Sequence, residues 1–180
     1  MERDAAARVI DKIDALAPHL AKAGDFMDGD KLHEMCDRTE ISEVVYRYAT
    51  GVDTKDWMLF GTCFTDPMEA DMTATLLATP APQQFPLERW RRITERTLSP
   101  WNRTQHYMSN LTIKVDGDRA QCVAYLYARH YRPDDPEGKE PYNMGGYYTF
   151  KFVRTPQGWK INSYKLNPLW DEGTPPQRRR

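Results

Sequence analysis

The sequence predicts an α+β fold in which helices come first and a curved, mostly antiparallel sheet wraps against them. Three observations carry that expectation. Apolar residues recur at three- and four-residue steps in the first half of the chain, the spacing of amphipathic helices. From Trp101 onward the pattern changes to long β-prone runs. Those runs are closed by turn signals at Asp116-Gly117-Asp118, Pro133-Asp134-Asp135-Pro136 and Gln157-Gly158, as in strands joined back to back.

Residues 4–22 read as a first helix, with Ala5, Val9, Ile13, Leu16 and Leu20 on one face. Gly24 and Asp28-Gly29-Asp30 then break the pattern, so 1–30 is expected to be a helical extension. A second helix begins after Asp30 or Thr39, where Thr39-Glu40-Ile41-Ser42-Glu43 offers a cap and early acids. Val44, Val45, Tyr48 and Val52 form its apolar stripe, Gly51 loosens its last turn, and Asp53 stands where it should end. A short helix is expected over 56–64, with Trp57, Phe60 and Phe64 turned inward, then a strand over 68–73. Pro80, Pro82 and Pro86 make 78–86 a loop at the mouth of any cavity, and Pro86 starts a helix running to Leu98. Strands follow over 107–115, 120–131, 142–153 and 159–166. The barrel domain is expected to span 31–172, with 173–180 a solvated tail.

Composition excludes several function classes. With 25 basic and 26 acidic residues the net charge is -1, which gives no electrostatic footing for nucleic acid. Three scattered cysteines, Cys36, Cys63 and Cys122, form no metal or redox motif and fit a reducing compartment. No apolar run is long enough for a membrane span, and the first residues lack a signal-peptide core, so the expected location is cytoplasmic. No Gly-rich phosphate loop, HExxH or paired cysteines appear, so no metal or nucleotide cofactor is expected.

Four histidines can be sorted by context. His19 and His33 lie in the polar N-terminal region, whereas His106 and His130 sit in apolar, aromatic strands. Asp53 ends an otherwise apolar stripe, where a buried carboxylate needs a partner. A His–Asp pair is the simplest general base, because the carboxylate fixes the tautomer and leaves the other ring nitrogen free to take a proton. Asp53 is equally placed to cap the short helix that follows. Arg129, Tyr125, Tyr127 and Tyr131 alternate away from His130 and should face outward, while Asn110, four residues from His106, could face inward with it. Lys165 and Asn167 could reach an anionic or carbonyl group at the mouth, or lie on a solvated edge. Met68, Met72, Met108 and Met144 are candidate cavity residues that core packing explains nearly as well.

Asp53-Thr54-Lys55-Asp56-Trp57, Thr104-Gln105-His106-Tyr107 and Ala128-Arg129-His130-Tyr131 resemble the scytalone dehydratases, members of the SnoaL-like, NTF2-like superfamily of cone-shaped α+β barrels. His106-Tyr107-Met108-Ser109-Asn110-Leu111 is similar to the histidine strand of the hexachlorocyclohexane dehydrochlorinases. Gly145-Gly146-Tyr147-Tyr148-Thr149 with Gly158-Trp159-Lys160 resembles their closing strands. The resemblance spans 36–172. It implies a catalytic dyad of Asp53 and His106, and a second histidine, His130, acting on the leaving hydroxyl or on substrate binding.

Two tyrosines of the scytalone dehydratases would fall at Val52 and Met72, and a pocket asparagine near Tyr147, so those contacts differ here. Tyr48, five residues before Asp53, is similar to the polarising tyrosine of the bile-acid dehydratases, with Tyr46 the substitute. Substrate-binding candidates are therefore Tyr46, Trp57, Met72, Asn110, Tyr147 and Lys165. The resemblance implies a cofactor-free lyase acting on a small aromatic or polycyclic molecule, in a homo-oligomer, commonly a trimer. A double-bond isomerase, carbon–carbon cleavage, and a binding module or oxygenase small subunit remain open beside it.

Overall fold

The structure is a computed structural model and describes residues 29–74, 81–132 and 141–173. The expected helix over 4–22 and, but for Gly173, the expected tail over 173–180 lie outside them. Contacts divide the chain between Cys36 and Asp37. Apart from the N-terminal part of the first described helix, everything below belongs to the second unit.

That helix, α1 (Gly29–Thr54), is continuous. Thr39 therefore lies inside it rather than capping it, because the polar run before Ile41 holds no breaker. Ile41, Val44, Val45, Tyr48, Ala49 and Val52 are all buried and form one stripe at helical spacing. The short helix α2 (Trp57–Gly61) is capped by Asp56, whose side chain accepts from the Leu59 amide at 2.9 Å. Gly51 does more than loosen a turn. A Cβ there would lie 2.8 Å from the Phe60 backbone nitrogen, so the glycine lets α2 close on α1. Gly51→Ala is expected to destabilise the protein by about 1–3 kcal/mol despite alanine's better helix propensity. Urea unfolding checks it; a variant as stable as the parent would show that the contact relaxes without cost.

Phe64 opens strand β1 (Phe64–Asp71), four residues earlier than expected. Within the stretch read as a loop, Gln83–Phe85 forms strand β2, pairing Met68 with Phe85. Pro82 and Pro86 bracket those three residues, so neither proline occupies a ladder position. Helix α3 (Leu87–Leu98) begins at Pro86 as expected, and Asp66 Oδ1 accepts from the Leu87 amide at 3.0 Å.

Strands β3 (Arg103–Asp116), β4 (Arg119–Tyr131), β5 (Tyr142–Thr155) and β6 (Gly158–Glu172) pair antiparallel in succession. β1 joins β6 in parallel, giving the order β2-β1-β6-β5-β4-β3. The sheet is curved and mixed, and it is open, with β2 and β3 as edges. Bulges at Ser109/Thr112, Gly145/Gly146 and Lys151/Phe152 supply curvature. β4 alternates buried and exposed almost without fault, which assigns one face to the core. On that face stand Ala120, Cys122, Ala124, Leu126, Ala128 and His130. Most of them are small.

Candidate active site

The C-terminal turn of α1 meets the free edge of β3. Asp53 accepts three hydrogen bonds there, all from β3. The His106 amide donates to Oδ2 at 2.8 Å, Thr104 Oγ1 donates to Oδ1 at 2.9 Å, and His106 Nδ1 lies 2.6 Å from Oδ1. The carboxylate thus satisfies a backbone donor on an unpaired strand edge and fixes the imidazole at once. Because α2 is capped by Asp56, the cap reading of Asp53 does not describe its contacts.

A carboxylate can only accept, so Nδ1 carries a proton, and in the neutral ring Nε2, on the far side, keeps its lone pair. The His106 side chain is almost fully buried, whereas that of Asp53 is 22% exposed. Burial pushes the Asp53 carboxyl up. The His106 ring bond, the ring's charge, the His106 amide and the Thr104 hydroxyl together outweigh it and hold the pKa below the ordinary value. A groove of about 410 Å³, lined by Asp53, Arg103, Thr104, Gln105, Arg129 and Tyr131, opens beside the carboxylate.

His130 stands across from Thr104 in the β3–β4 ladder, with its ring centroid 5.7 Å from that of His106 and nearly perpendicular to it. Its Nδ1 lies 3.2 Å from the Tyr142 carbonyl oxygen. A carbonyl also only accepts, so this Nδ1 too bears the proton, and Nε2 is an acceptor. Trp101 and Tyr142, nearly parallel, wall the ring at 5.1 and 5.5 Å. Lys55, at positive φ just past α1, donates from Nζ to the Trp101 carbonyl at 2.6 Å, tying the helix end to that wall. Burial, with the nearby His106 charge, pulls His130 down to about 4.

A histidine depressed in the folded state contributes stability that is whole above its unfolded value, near 6.5, and lost as pH falls toward 4. The loss across that window is about 3 kcal/mol. His130→Asn keeps an amide donor where Nδ1 stood but does not titrate. Urea unfolding at intervals through this range should show the acid-side loss in the parent and not in the variant. An equal slope in both would assign it to other groups.

The remaining candidates are dispersed. Tyr48 is buried, and its hydroxyl meets those of Tyr148 and Tyr164 at 3.2 and 3.5 Å, amid Phe60, Phe64 and Phe150. Burial first, then the neighbouring phenols, drives the Tyr48 pKa well up, so it stays a neutral donor. Tyr148 also feels the charge of Asp53. Tyr46 is exposed, because its helix position lies off the buried stripe. Asn110 is exposed at φ 50°, within the bulge that breaks β3's alternation, and so does not follow His106 inward. Trp57 packs on Phe60 and lines a surface groove with Met58 and Leu87. Met68 and Met72 are buried core residues, and Met108 and Met144 pack partly buried against the core. Tyr147 lies beside the exposed Tyr125, away from the histidines. Lys165 is held by Asp71 at 2.8 Å, a partner that the parallel β1–β6 register places opposite it. His33 is exposed; His19 lies outside the described residues.

Sequence reasoning gave no role to Thr104, Trp101, Tyr142, Tyr148 or Tyr164. Thr104 was findable, since a residue two before His106 shares its strand face. Among the described residues no three His, Cys, Asp or Glu side chains converge as metal ligands would, and no helix is long and apolar enough to cross a membrane.

Residues 33–165 match the family model described as a SnoaL-like domain. Terrestric acid biosynthesis cluster protein E of Penicillium crustosum is 24% identical over 148 residues, covering 77% of this chain and 87% of that protein. Among solved structures, the Kfla4162 protein of Kribbella flavida is 28% identical with a TM-score of 0.72, covering 77% of this chain and 95% of that one. A type 2 hexachlorocyclohexane dehydrochlorinase aligns at 18% identity and a TM-score of 0.67, over 80% of this chain and 93% of its own. A scytalone dehydratase-like protein of Novosphingobium aromaticivorans aligns at 17% and 0.65, over 86% and 99%. The last two share the NTF2-like fold with this chain.

Proposed function

The chain belongs to the SnoaL-like domain family, and on that footing we propose that it is a cofactor-independent lyase removing water from a small aromatic or polycyclic β-hydroxy carbonyl compound. The observation that carries the reading is the Asp53–His106 contact, 2.6 Å long, which seats Nδ1 on the carboxylate and turns Nε2 away from it. Dehydratase and dehydrochlorinase neighbours of the same fold support it.

In this reading His106 Nε2 takes the proton α to the carbonyl. The released electron pair becomes the new carbon–carbon double bond as the β carbon–oxygen bond breaks. The departing hydroxide takes that proton back from His106 and leaves as water, so the ring returns to its starting tautomer. Asp53 faces the charge the ring carries between the two transfers. His130, kept neutral by burial, does not supply the acid; its Nε2 accepts from the substrate hydroxyl and aims it. The carbonyl oxygen would take its hydrogen bond from the cluster of neutral phenols Tyr48, Tyr148 and Tyr164, of which Tyr148 feels the Asp53 charge.

A panel of aromatic β-hydroxy ketones, followed by absorbance of the conjugated product, tests the proposal. Turnover by the parent and none by His106→Asn is the expected result. Binding of the panel compounds without turnover would make the protein a binding module, and release of a carbonyl fragment would make it a carbon–carbon lyase.

A further inference from the structure

Lys55 occupies a strained position. It is the first residue past α1, its amide donates to the Val52 carbonyl at 3.2 Å, and its φ is 57°. A helix ends most readily through that left-handed conformation with glycine, which has no Cβ to clash. Here a lysine bears the strain, two residues beyond the Asp53 carboxylate. Strain of this kind persists where the surroundings over-determine it, and it collects at functional sites. The side chain does not run out into solvent. It is half-buried, and Nζ donates to the Trp101 carbonyl oxygen at 2.6 Å.

Trp101 is in turn a wall of the His130 ring. Its own ring is buried, 5.1 Å from that of His130 and stacked on Tyr142 at 6.0 Å and 11°. The Tyr142 carbonyl accepts from His130 Nδ1 at 3.2 Å, so ring wall and backbone acceptor belong to one packed group. Trp101 lies in the short turn between α3 and β3. Its amide donates to the Leu98 carbonyl at 3.1 Å, and the Asn102 amide to the Tyr131 carbonyl at 2.9 Å. Those bonds fix the turn to α3 and β4, and the Lys55 bond adds the end of α1 that carries Asp53. We propose that Lys55 is a positioning residue, which through Trp101 holds the His130 ring in its place beside His106. The catalytic meaning of that placement rests on the dehydratase reading above; the placement itself does not.

A pH titration of histidine-labelled protein, followed in ¹⁵N–¹H spectra, reads the placement, and steady-state kinetics read its use. The titratable groups facing His130 are His106 on β3, Asp53 at the end of α1 and Tyr142 on β5, with the Arg132 guanidinium over the Trp101 ring. Substitution at Lys55 leaves all of them in the chain. Lys55→Met keeps the length without the donor. Its His130 should titrate distinctly above the parent's value of about 4, as water reaches the ring, while His106 keeps the parent's tautomer. On the substrate that the parent turns over, kcat should fall about 10–100-fold with little change in KM, because alignment is what is lost. Lys55→Gly also relieves the positive φ, so it should fold and show the same two changes. Lys55→Arg, which returns a donor of similar reach, should bring both back toward the parent. A parent-like His130 titration in both Lys55→Met and Lys55→Gly overturns the inference. So does a shifted His130 with unchanged kcat, or failure of Lys55→Arg to restore the titration. Should the parent turn over none of the panel, the dehydratase reading fails, and the titration alone decides on Lys55.

Discussion

His106→Asn should lower kcat for the proposed elimination by about 10²–10⁴-fold while the protein stays folded. Asparagine is the informative replacement because its side-chain amide can donate to Asp53 from where Nδ1 stood. Nothing replaces Nε2. The bond that seats the side chain survives, and only the atom that would move the proton is lost. Because that transfer belongs to the transition state, kcat should fall with little change in KM. The measurement pairs steady-state kinetics with a thermal melt. Activity within a few-fold of the parent, in a folded variant, would remove His106 from the chemistry.

Asp53→Asn should be costly in two ways. An amide offers one oxygen where the carboxylate offers two, and its nitrogen would face either the His106 amide or the ring N–H, donor against donor. The ring would be driven toward the tautomer with Nε2 protonated, the wrong state for a base. A comparable aspartate-to-asparagine change in a serine-protease triad costs about 10⁴-fold in kcat. The backbone edge of β3 would also lose an ionic acceptor, worth about 1.5–3 kcal/mol. The variant should therefore be both inactive and less stable. An inactive variant of unchanged stability would mean that water replaces the carboxylate at the strand edge. A less stable but fully active one would confine Asp53 to holding β3.

Much of this arrangement was legible in the chain because it is periodic or local. The stripe from Ile41 to Val52 fixes the buried face of α1, and β4's strict alternation sends His130 inward and Arg129, Tyr125, Tyr127 and Tyr131 outward. Asp53 announced itself as a carboxylate ending an apolar stripe. What periodicity could not give are features set by pairing between distant segments. Gln83–Phe85 becomes a strand only because β1 offers it an edge. Lys165 meets Asp71 because β1 runs parallel to β6, a register no local pattern encodes. Asn110 leaves the His106 face because a bulge intervenes. Tyr148 and Tyr164 read as ordinary strand aromatics, and their hydroxyls find Tyr48 only once α1 lies on the sheet.

The resemblance implies that His130 acts on the leaving hydroxyl or on substrate binding, and its contacts favour the second. A ring donating from Nδ1 to the Tyr142 carbonyl, and held near 4, has no Nε2 proton to give at neutral pH. In the proposed mechanism the leaving group's proton therefore comes from His106, the base that removed it.

The tautomers themselves are the most direct test. Long-range ¹⁵N–¹H correlation spectra of histidine-labelled protein, at about pH 8 where free imidazoles are neutral, distinguish a protonated Nδ1 from a protonated Nε2. The proposed mechanism predicts Nδ1–H with bare Nε2 at both His106 and His130, the form less favoured by free imidazole in water. Asp53→Asn should move the His106 signals alone. Finding Nε2 protonated at His106 in the parent would contradict the account, because the ring would then hold no lone pair with which to take the proton.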